Sequence, residues 1–191
     1  SSVQYTAPEG DFSGDSFTFH VNDGTFDSNP ATVTIIPRSE PTSLNVNTND
    51  DAVDSVCDQV HCSLREAIET SIPGDTVDFT LSRSNTITLT KGMIMVDNDL
   101  TISGPGANLL SISGSEATGV FSFYGGFDYV SYSDKPITVT VSGLSIIDGH
   151  SFMGGGVING PDSTLILEDC VIGPNNVATS SGGGGLYNYQ G

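Results

Sequence analysis

Residues 137–149, ITVTVSGLSIIDG, and residues 163–175, STLILEDCVIGPN, carry the same apolar pattern twice and decide the fold of this chain. In both passages apolar residues alternate with others at a period of two, which is typical of β-strands with one buried face. A glycine-rich passage follows each copy, at 154–160 and at 182–188. A near-repeat of this length, with turns rich in Gly, Asn and Asp, predicts an all-β chain built as a parallel β-helix. The aligned pairs, each 26 residues apart, are Val141 with Leu167, Leu144 with Cys170, and Ile146 with Ile172.

The charge of the chain is strongly one-sided. Its 191 residues include 5 Lys and Arg against 23 Asp and Glu, a net charge of −18. Nucleic acids and anionic membrane surfaces are recognised by basic patches, so this balance argues against both as partners. The acidic surface either keeps a β-rich molecule soluble or suits a medium with divalent cations. No run of 18 apolar residues is present, so we expect no membrane span.

Cys57 and Cys62 lie five positions apart, as expected of either a small disulfide loop or half of a metal site. No second pair of Cys or His residues completes a zinc site, which favours the disulfide. A disulfide in turn predicts a location outside a reducing cytosol, in the extracellular space or at the cell surface. Cys170 aligns with Leu144 of the preceding copy, so we expect it to be a small, buried apolar residue with a free thiol.

Residues 1–37 predict a separate β module. Phe17, Phe19 and Val21 alternate with polar residues and are expected to face inward. The triplet at 22–24, Asn-Asp-Gly, signals a hairpin turn, and residues 31–36 predict the next strand.

This first segment resembles the C-terminal half of the Ig-like or cadherin-like modules found in tandem in bacterial surface proteins, on the passages FSGDSFTF at 12–19 and ATVTI at 31–35. A complete sandwich of this type has about 7 strands and about 100 residues. Residues 1–37 therefore predict a partial Ig-like β-sandwich module, whose remaining strands are either cut away or supplied from elsewhere. Residues 38–43 read as a linker, and residues 44–191 as the capped β-helix.

One short helix is predicted after the disulfide loop. Ser63 and Glu66 have the spacing of a capping box, in which each residue satisfies the backbone N–H of the other. Leu64 and Ile68 share one face with Ala67, so that face should be buried. Strands are predicted after the helix, at 76–81, 86–90, 100–103, 110–113 and 120–124.

The segment from residue 44 onward resembles the CSLREA family of surface proteins, because that motif stands at residues 62–67 letter for letter. GDTVDF at 74–79, LTISGPGA at 100–107 and GGGVIN at 154–159 extend the resemblance. It implies a secreted or surface-attached, right-handed parallel β-helix whose first coil is covered by the CSLREA helix. It implies no reaction.

Calcium is the one ligand that the residues suggest. Asp50, Asp51 and Asp54 crowd together before the predicted helix, and hard oxygen ligands at this density suit Ca²⁺. The spacing is not that of an EF-hand loop. We predict a calcium site at these three residues and no other cofactor.

The sequence does not assemble a catalytic site. The acids of the two repeat copies, Asp148 and Asp169 among them, do not recur at one phase, and their positions after strands favour turn roles. We therefore predict a non-enzymatic extracellular protein with a structural, adhesive or filament-forming role. Its expected partners are other copies of itself, adjacent surface-protein modules or glycans. The alternative is a fragment of a carbohydrate-active β-helix enzyme, a polysaccharide lyase or hydrolase, whose catalytic coils lie outside this chain.

Overall fold

The computed structural model describes residues 14–35, 38–54, 56–81, 85–128, 133–180 and 182–189. Strands make up 42% of these residues, and very few residues lie in a helix, so the all-β prediction is confirmed. The chain divides into two compact units, Ser1–Glu40 and Pro41–Gly191. Two residues of the FSGDSFTF passage, Phe12 and Ser13, lie outside the described residues.

The described part of the first unit is an antiparallel hairpin of β1 (Asp15–Phe19) and β2 (Ala31–Ile35). Asp23 holds the turn between them, because its carboxylate accepts hydrogen bonds from the amides of Thr25 and Phe26. The prediction that Phe19 and Val21 face a core is wrong. Their side chains are 45% and 62% exposed, since two strands alone cannot bury either face of a sheet.

The second unit contains the helix and the remaining strands. Its elements in chain order are β3 (Ser43–Val46), α1 (Leu64–Glu69), β4 (Asp75–Phe79), β5 (Asn85–Thr88), β6 (Ile94–Val96), β7 (Leu100–Ser103), β8 (Leu110–Ser113), β9 (Phe121–Phe123), β10 (Gly126–Asp128), β11 (Ser133–Lys135), β12 (Ile137–Ser142), β13 (Ser145–Ile147), β14 (His150–Ser151), β15 (Val157–Asn159), β16 (Ser163–Glu168), β17 (Val171–Ile172), β18 (Val177–Ala178) and β19 (Leu186–Asn188).

Three parallel sheets dominate this unit, and successive strands enter them in rotation. Their strand orders are β16-β12-β7-β4-β3, β17-β13-β8-β5 and β19-β15-β9-β6. One strand from each of the three sheets, for example β4, β5 and β6, therefore forms one layer. The next three strands that enter these sheets form the layer stacked on it. A two-stranded parallel sheet, β14-β18, and an antiparallel hairpin, β10-β11, complete the unit.

The register places like residues above one another. In the first sheet Val77, Ile102, Val141 and Leu167 occupy one column. The second sheet has a column of four isoleucines, namely Ile87, Ile112, Ile146 and Ile172. The pairing of Val141 with Leu167 and of Ile146 with Ile172 is the one that the 26-residue repeat predicts, so the register is confirmed.

Burial falls sharply in the outermost layer. Val141 and Ile146, in the layer below it, have no exposed side-chain surface, whereas Leu167 and Ile172 are only partly buried. Cys170 has a free thiol, as predicted, but the expected full burial is wrong because this residue belongs to the same outermost layer and is half-buried.

Helix α1 starts at the predicted capping box. Ser63 Oγ accepts a hydrogen bond from the Glu66 amide at 3.2 Å, and Glu66 Oε2 accepts one from the Ser63 amide at 3.0 Å. Leu64 and Ile68 are buried, and the helix packs against β3 and β4. None of the described helices is long and apolar enough to cross a membrane.

Removing the Leu64 side chain should destabilise this unit strongly, because Leu64 is completely buried between the helix and the sheets. We expect Leu64→Ala to cost about 2–5 kcal/mol in unfolding free energy, measured by denaturant titration. Val60→Ala is the matched control, since Val60 precedes the same helix but is 91% exposed, and it should change stability by less than about 0.5 kcal/mol. Equal losses in the two variants would contradict a buried helical face.

Candidate functional site

Residues 47–69, which we call the cap segment, contain the densest cluster of interacting charged groups in the described part of the chain. The segment runs from the end of β3 through the disulfide loop to the end of α1. Cys57 and Cys62 form the predicted disulfide. Asn47 fixes the loop to β3, because its side chain accepts from the Cys62 amide at 2.8 Å and donates to the Asp58 carbonyl at 2.9 Å.

A buried ion pair joins the start of the cap segment to its helix. Arg65 Nε donates to Asp51 Oδ1 at 2.8 Å, and both side chains are almost fully buried. Asp51 Oδ2 also accepts from the amides of Thr90 and Lys91, at 2.7 and 2.8 Å, in the turn between β5 and β6. Arg65 Nη2 donates to the Gly92 carbonyl of that turn at 2.6 Å. The cap segment is thus fastened to the first layer of sheet strands by charge-assisted hydrogen bonds.

These contacts set the pKa of Asp51. Burial without water raises the pKa of a carboxyl group, but the hydrogen bonds from Arg65, Thr90 and Lys91 and the positive charge of Arg65 outweigh that effect. The pKa of Asp51 is therefore lowered from its ordinary value of 3.8.

The three residues predicted as calcium ligands have different partners. The Asp51 carboxylate accepts hydrogen bonds from Arg65 and from two backbone amides. Asp50 accepts from Thr48 Oγ1 at 2.6 Å and from the Ala52 amide at 2.9 Å, and Asp54 accepts from the Val56 amide at 3.0 Å. The structure adds no support for calcium, and the calcium site at these residues stays a prediction.

His61 lies among the remaining acids of the cap segment. Its Nε2 is 3.2 Å from Asp50 Oδ1, while its Nδ1 is 3.0 Å from Glu66 Oε2 and 3.8 Å from Asp54 Oδ2. Among the described residues, Asp54, His61 and Glu66 form the group whose potential ligand atoms lie within 4.8 Å of one another. Both Glu66 oxygens already accept backbone N–H groups, those of Asp54 and Ser63. At these distances a charged imidazole would form ion pairs with both carboxylates.

The pKa values of His61 and Glu66 are shifted in opposite directions. Burial lowers the pKa of His61, but the hydrogen bond to Asp50 and the charges of Asp50, Glu66 and Asp54 raise it above the ordinary 6.5 overall. Burial raises the pKa of Glu66, but the amides of Ser63 and Asp54 and the nearby His61 lower it below 4.5 overall. At pH values between the lowered pKa of Glu66 and the raised pKa of His61, a charged carboxylate and a charged imidazole therefore coexist.

Three aspartates of the outer layers lie in turns, whereas Glu168 ends strand β16. Asp148, Asp162 and Asp169 all have left-handed backbone conformations, with φ of 51–52°. Asp148 accepts from Ser113 Oγ at 3.3 Å and from Asn175 Nδ2 at 2.9 Å, which links the turns of three successive layers. Asp and Asn tolerate this conformation better than most residues. The turn positions predicted for Asp148 and Asp169 are confirmed.

Sequence reasoning missed His61 as a member of the site. Its position next to Cys62, and just after the acidic run at 50–54, was the available signal. It also missed that Arg65 would pair with Asp51, because the two residues are 14 positions apart and meet only when the disulfide loop folds back.

No protein-family model matches the chain, and no curated protein or solved structure is significantly similar to it. The CSLREA resemblance and the Ig-like resemblance therefore stay predictions that rest on the motifs themselves.

Replacing Arg65 by Met should leave the Asp51 carboxylate buried without its cation. We expect Arg65→Met to lower the unfolding free energy by about 3 kcal/mol or more. Because the pKa of Asp51 is lowered by folding, this contribution is present above pH 3.8 and is lost as pH falls through the lower folded value. Urea titrations of parent and variant at several pH values measure both effects.

Lys91→Met is the matched control for this experiment, because Lys91 is adjacent to the pair but its side chain is exposed. It should change stability by less than about 0.5 kcal/mol. Equal losses of unfolding free energy in Arg65→Met and Lys91→Met would show that the Asp51–Arg65 pair does not hold the cap segment. A stability difference between parent and Arg65→Met that stays the same in acid would show this too.

Asp148 should be replaceable by Asn but not by Ala. Asn accepts hydrogen bonds and tolerates a φ of 52°. Ala lacks the side-chain hydrogen bonds, and the left-handed backbone lowers its stability by about 1–2 kcal/mol. Thermal unfolding of Asp148→Asn, Asp148→Ala and the control Asp97→Ala, an exposed position with ordinary φ, makes the comparison. Equal melting temperatures for the Asn and Ala variants would rule out the turn role.

Proposed function

We propose that this chain is a non-enzymatic structural module of a secreted or cell-surface protein, built as a right-handed parallel β-helix whose first coil is closed by the CSLREA cap segment. Three parallel sheets filled in rotation, with like residues stacked in columns, support this architecture. The cap segment lies against β3, β4 and the β5–β6 turn, at the end where the layers begin.

The observation that carries the structural role is the position of the acids in the outer layers. A β-helix hydrolase requires carboxylates that converge on one reacting bond. Asp148, Asp162 and Asp169 instead lie in turns, where their backbone conformation is left-handed. The Asp148 carboxylate accepts hydrogen bonds that link one layer to the next. The hydrogen bonds of Asp148 therefore stabilise the stacking of layers.

An extracellular or surface location is part of the same proposal. The Cys57–Cys62 disulfide is compatible with an oxidising environment. The net charge of −18 adds solubility to a molecule with many strands, because like-charged molecules repel one another.

In the 191-residue chain, the last of the described layers offers a surface for association, which we call the open end. A shallow pocket of about 190 Å³ lies there, lined by Leu165, Leu167, Leu186, Asn159 and Asn188. None of the described residues that line this pocket is charged, although the chain as a whole carries −18. Strand β16 pairs with β12 on one side, and its other edge has no strand partner among the described residues. Unpaired edges with apolar neighbours are templates for further strands.

The occupant that fits the open end is a second copy of this chain. An uncharged face is the place where two highly acidic molecules approach with the least repulsion. Association of two 191-residue chains through their open ends would give a two-fold pair, because both copies use the same surface.

Charge placed at the open end should abolish this pairing. We expect the 191-residue chain to show twice its monomer mass by light scattering at high concentration, and Leu167→Lys and Leu186→Lys to stay monomeric. Ile166→Lys is the matched control, because Ile166 is the strand neighbour of Leu167, is 41% exposed and points to the other side of the pleat. It should still pair.

Circular dichroism shows whether each variant is folded, and Leu186→Lys is the safer probe because Leu186 is already 37% exposed. A parent that is monomeric at every concentration would overturn the proposed pairing. So would a pair that survives Leu186→Lys, because the association would then use another surface.

A further inference from the structure

Strand β3 lies at one edge of the first sheet. It pairs with β4 on one side, and its other side has no strand partner among the described residues. The carbonyls of Thr42 and Val46 accept hydrogen bonds from the neighbouring chain of β4 and the residue after it. In a parallel ladder, alternate residues point their N–H and C=O groups to opposite sides. The backbone groups of Ser43 and Asn45 therefore point away from β4, and we call residues 43–45 the β3 edge.

A pocket of about 480 Å³ lies along the β3 edge. Ser43, Leu44 and Asn45 line it together with residues 57–59 of the disulfide loop. Ser43 and Asn45 are exposed, whereas Leu44 is partly buried and packs against the core. Asn47 ends the accessible part of the edge, because its amide donates to a cap-segment carbonyl at 3.1 Å. The pocket thus combines outward-pointing backbone groups with one apolar side chain, which are the features that bind an added strand.

The charge at this pocket is negative. Asp58 lines it, and the amides of Val60 and His61 hold its Oδ1 in place at 2.7 and 3.1 Å. The Asp58 side chain is exposed, so the carboxylate is ionised at neutral pH. Asp78 adds a second carboxylate, which accepts from Ser43 Oγ at 2.6 Å. None of the described lining residues is Lys or Arg, so a cationic ligand is favoured over an anionic one.

We propose that the β3 edge binds an extended, cationic peptide segment of another protein by strand addition. The backbone groups of Ser43 and Asn45 form hydrogen bonds with the main chain of the segment, which lies between β3 and the disulfide loop. An apolar side chain of the segment contacts Leu44, and a Lys or Arg side chain pairs with Asp58. The site uses none of the residues of the open end, so it does not depend on whether two copies pair.

The probe is a displayed library of random seven-residue peptides, selected against the 191-residue chain. Enriched peptides should carry Lys or Arg and few acidic residues. A fluorescent synthetic copy of one such peptide should bind the parent in an anisotropy titration. Two further copies carry N-methyl groups at the odd or at the even positions. Only alternate residues of an added strand bond to its neighbour, so one methylated copy should lose binding and the other should keep it.

Asn45→Pro removes an amide N–H of the β3 edge, and proline is tolerated at an edge strand where that group faces solvent. It should weaken peptide binding about tenfold, because a main-chain hydrogen bond is lost. Asn45→Thr is the matched control, since it keeps the N–H and should bind as the parent does. Asp58→Asn should weaken binding of cationic peptides by up to about fivefold. Circular dichroism shows whether each variant is folded.

Peptide binding that persists in Leu186→Lys would separate this site from the open end. Equal enrichment against the parent and a folded Asn45→Pro, or a preference for acidic peptides, overturns the proposal. So does equal binding of the two N-methylated copies, a result that does not require Asn45→Pro to fold. Self-association of the parent that Asn45→Pro abolishes and Leu186→Lys leaves intact would assign the β3 edge to a second copy, which overturns it too.

Discussion

The carboxylate of Asp51 is the point at which the cap segment and the first layer of strands are joined. It lies in a nearly dry environment, yet it stays charged because Arg65 and the amides of Thr90 and Lys91 all donate to it. A buried charge is tolerated only when partners of this kind are complete. The pair therefore fixes where α1 sits, and through α1 it fixes the buried position of Leu64 on the sheets. The arrangement explains why the acidic run before the helix can be so dense.

The layers stacked on this junction are held together by simpler packing. Each strand buries alternate apolar residues, and parallel register places those residues in columns such as the four isoleucines of the second sheet. This part of the fold was predictable, because a period of two and a 26-residue repeat specify both the strands and their register. The helix was predictable for a similar reason, since the capping box of Ser63 and Glu66 is a local signal that contains both of its partners.

The remaining features could not be predicted, because they depend on contacts between residues that are distant in sequence. Strand β6 was missed because it has three residues, of which Met95 points outward and is 68% exposed. The ion pair of Asp51 could not be predicted from the acidic run at 50–54, because its partner Arg65 lies 14 positions later. His61 gained a role only when the disulfide loop brought it to Glu66. Cys170 is half-buried because a residue in an outermost layer has a neighbouring layer on one side only.

Hydrogen exchange of Asp51→Asn tests most directly the claim that this carboxylate holds the cap segment on the first layer. The account predicts faster exchange at the amides of Thr90 and Lys91, which donate to Asp51, and in α1, while the amides of β12 keep their protection. Unchanged exchange at Thr90, Lys91 and α1 in a folded Asp51→Asn variant would contradict it.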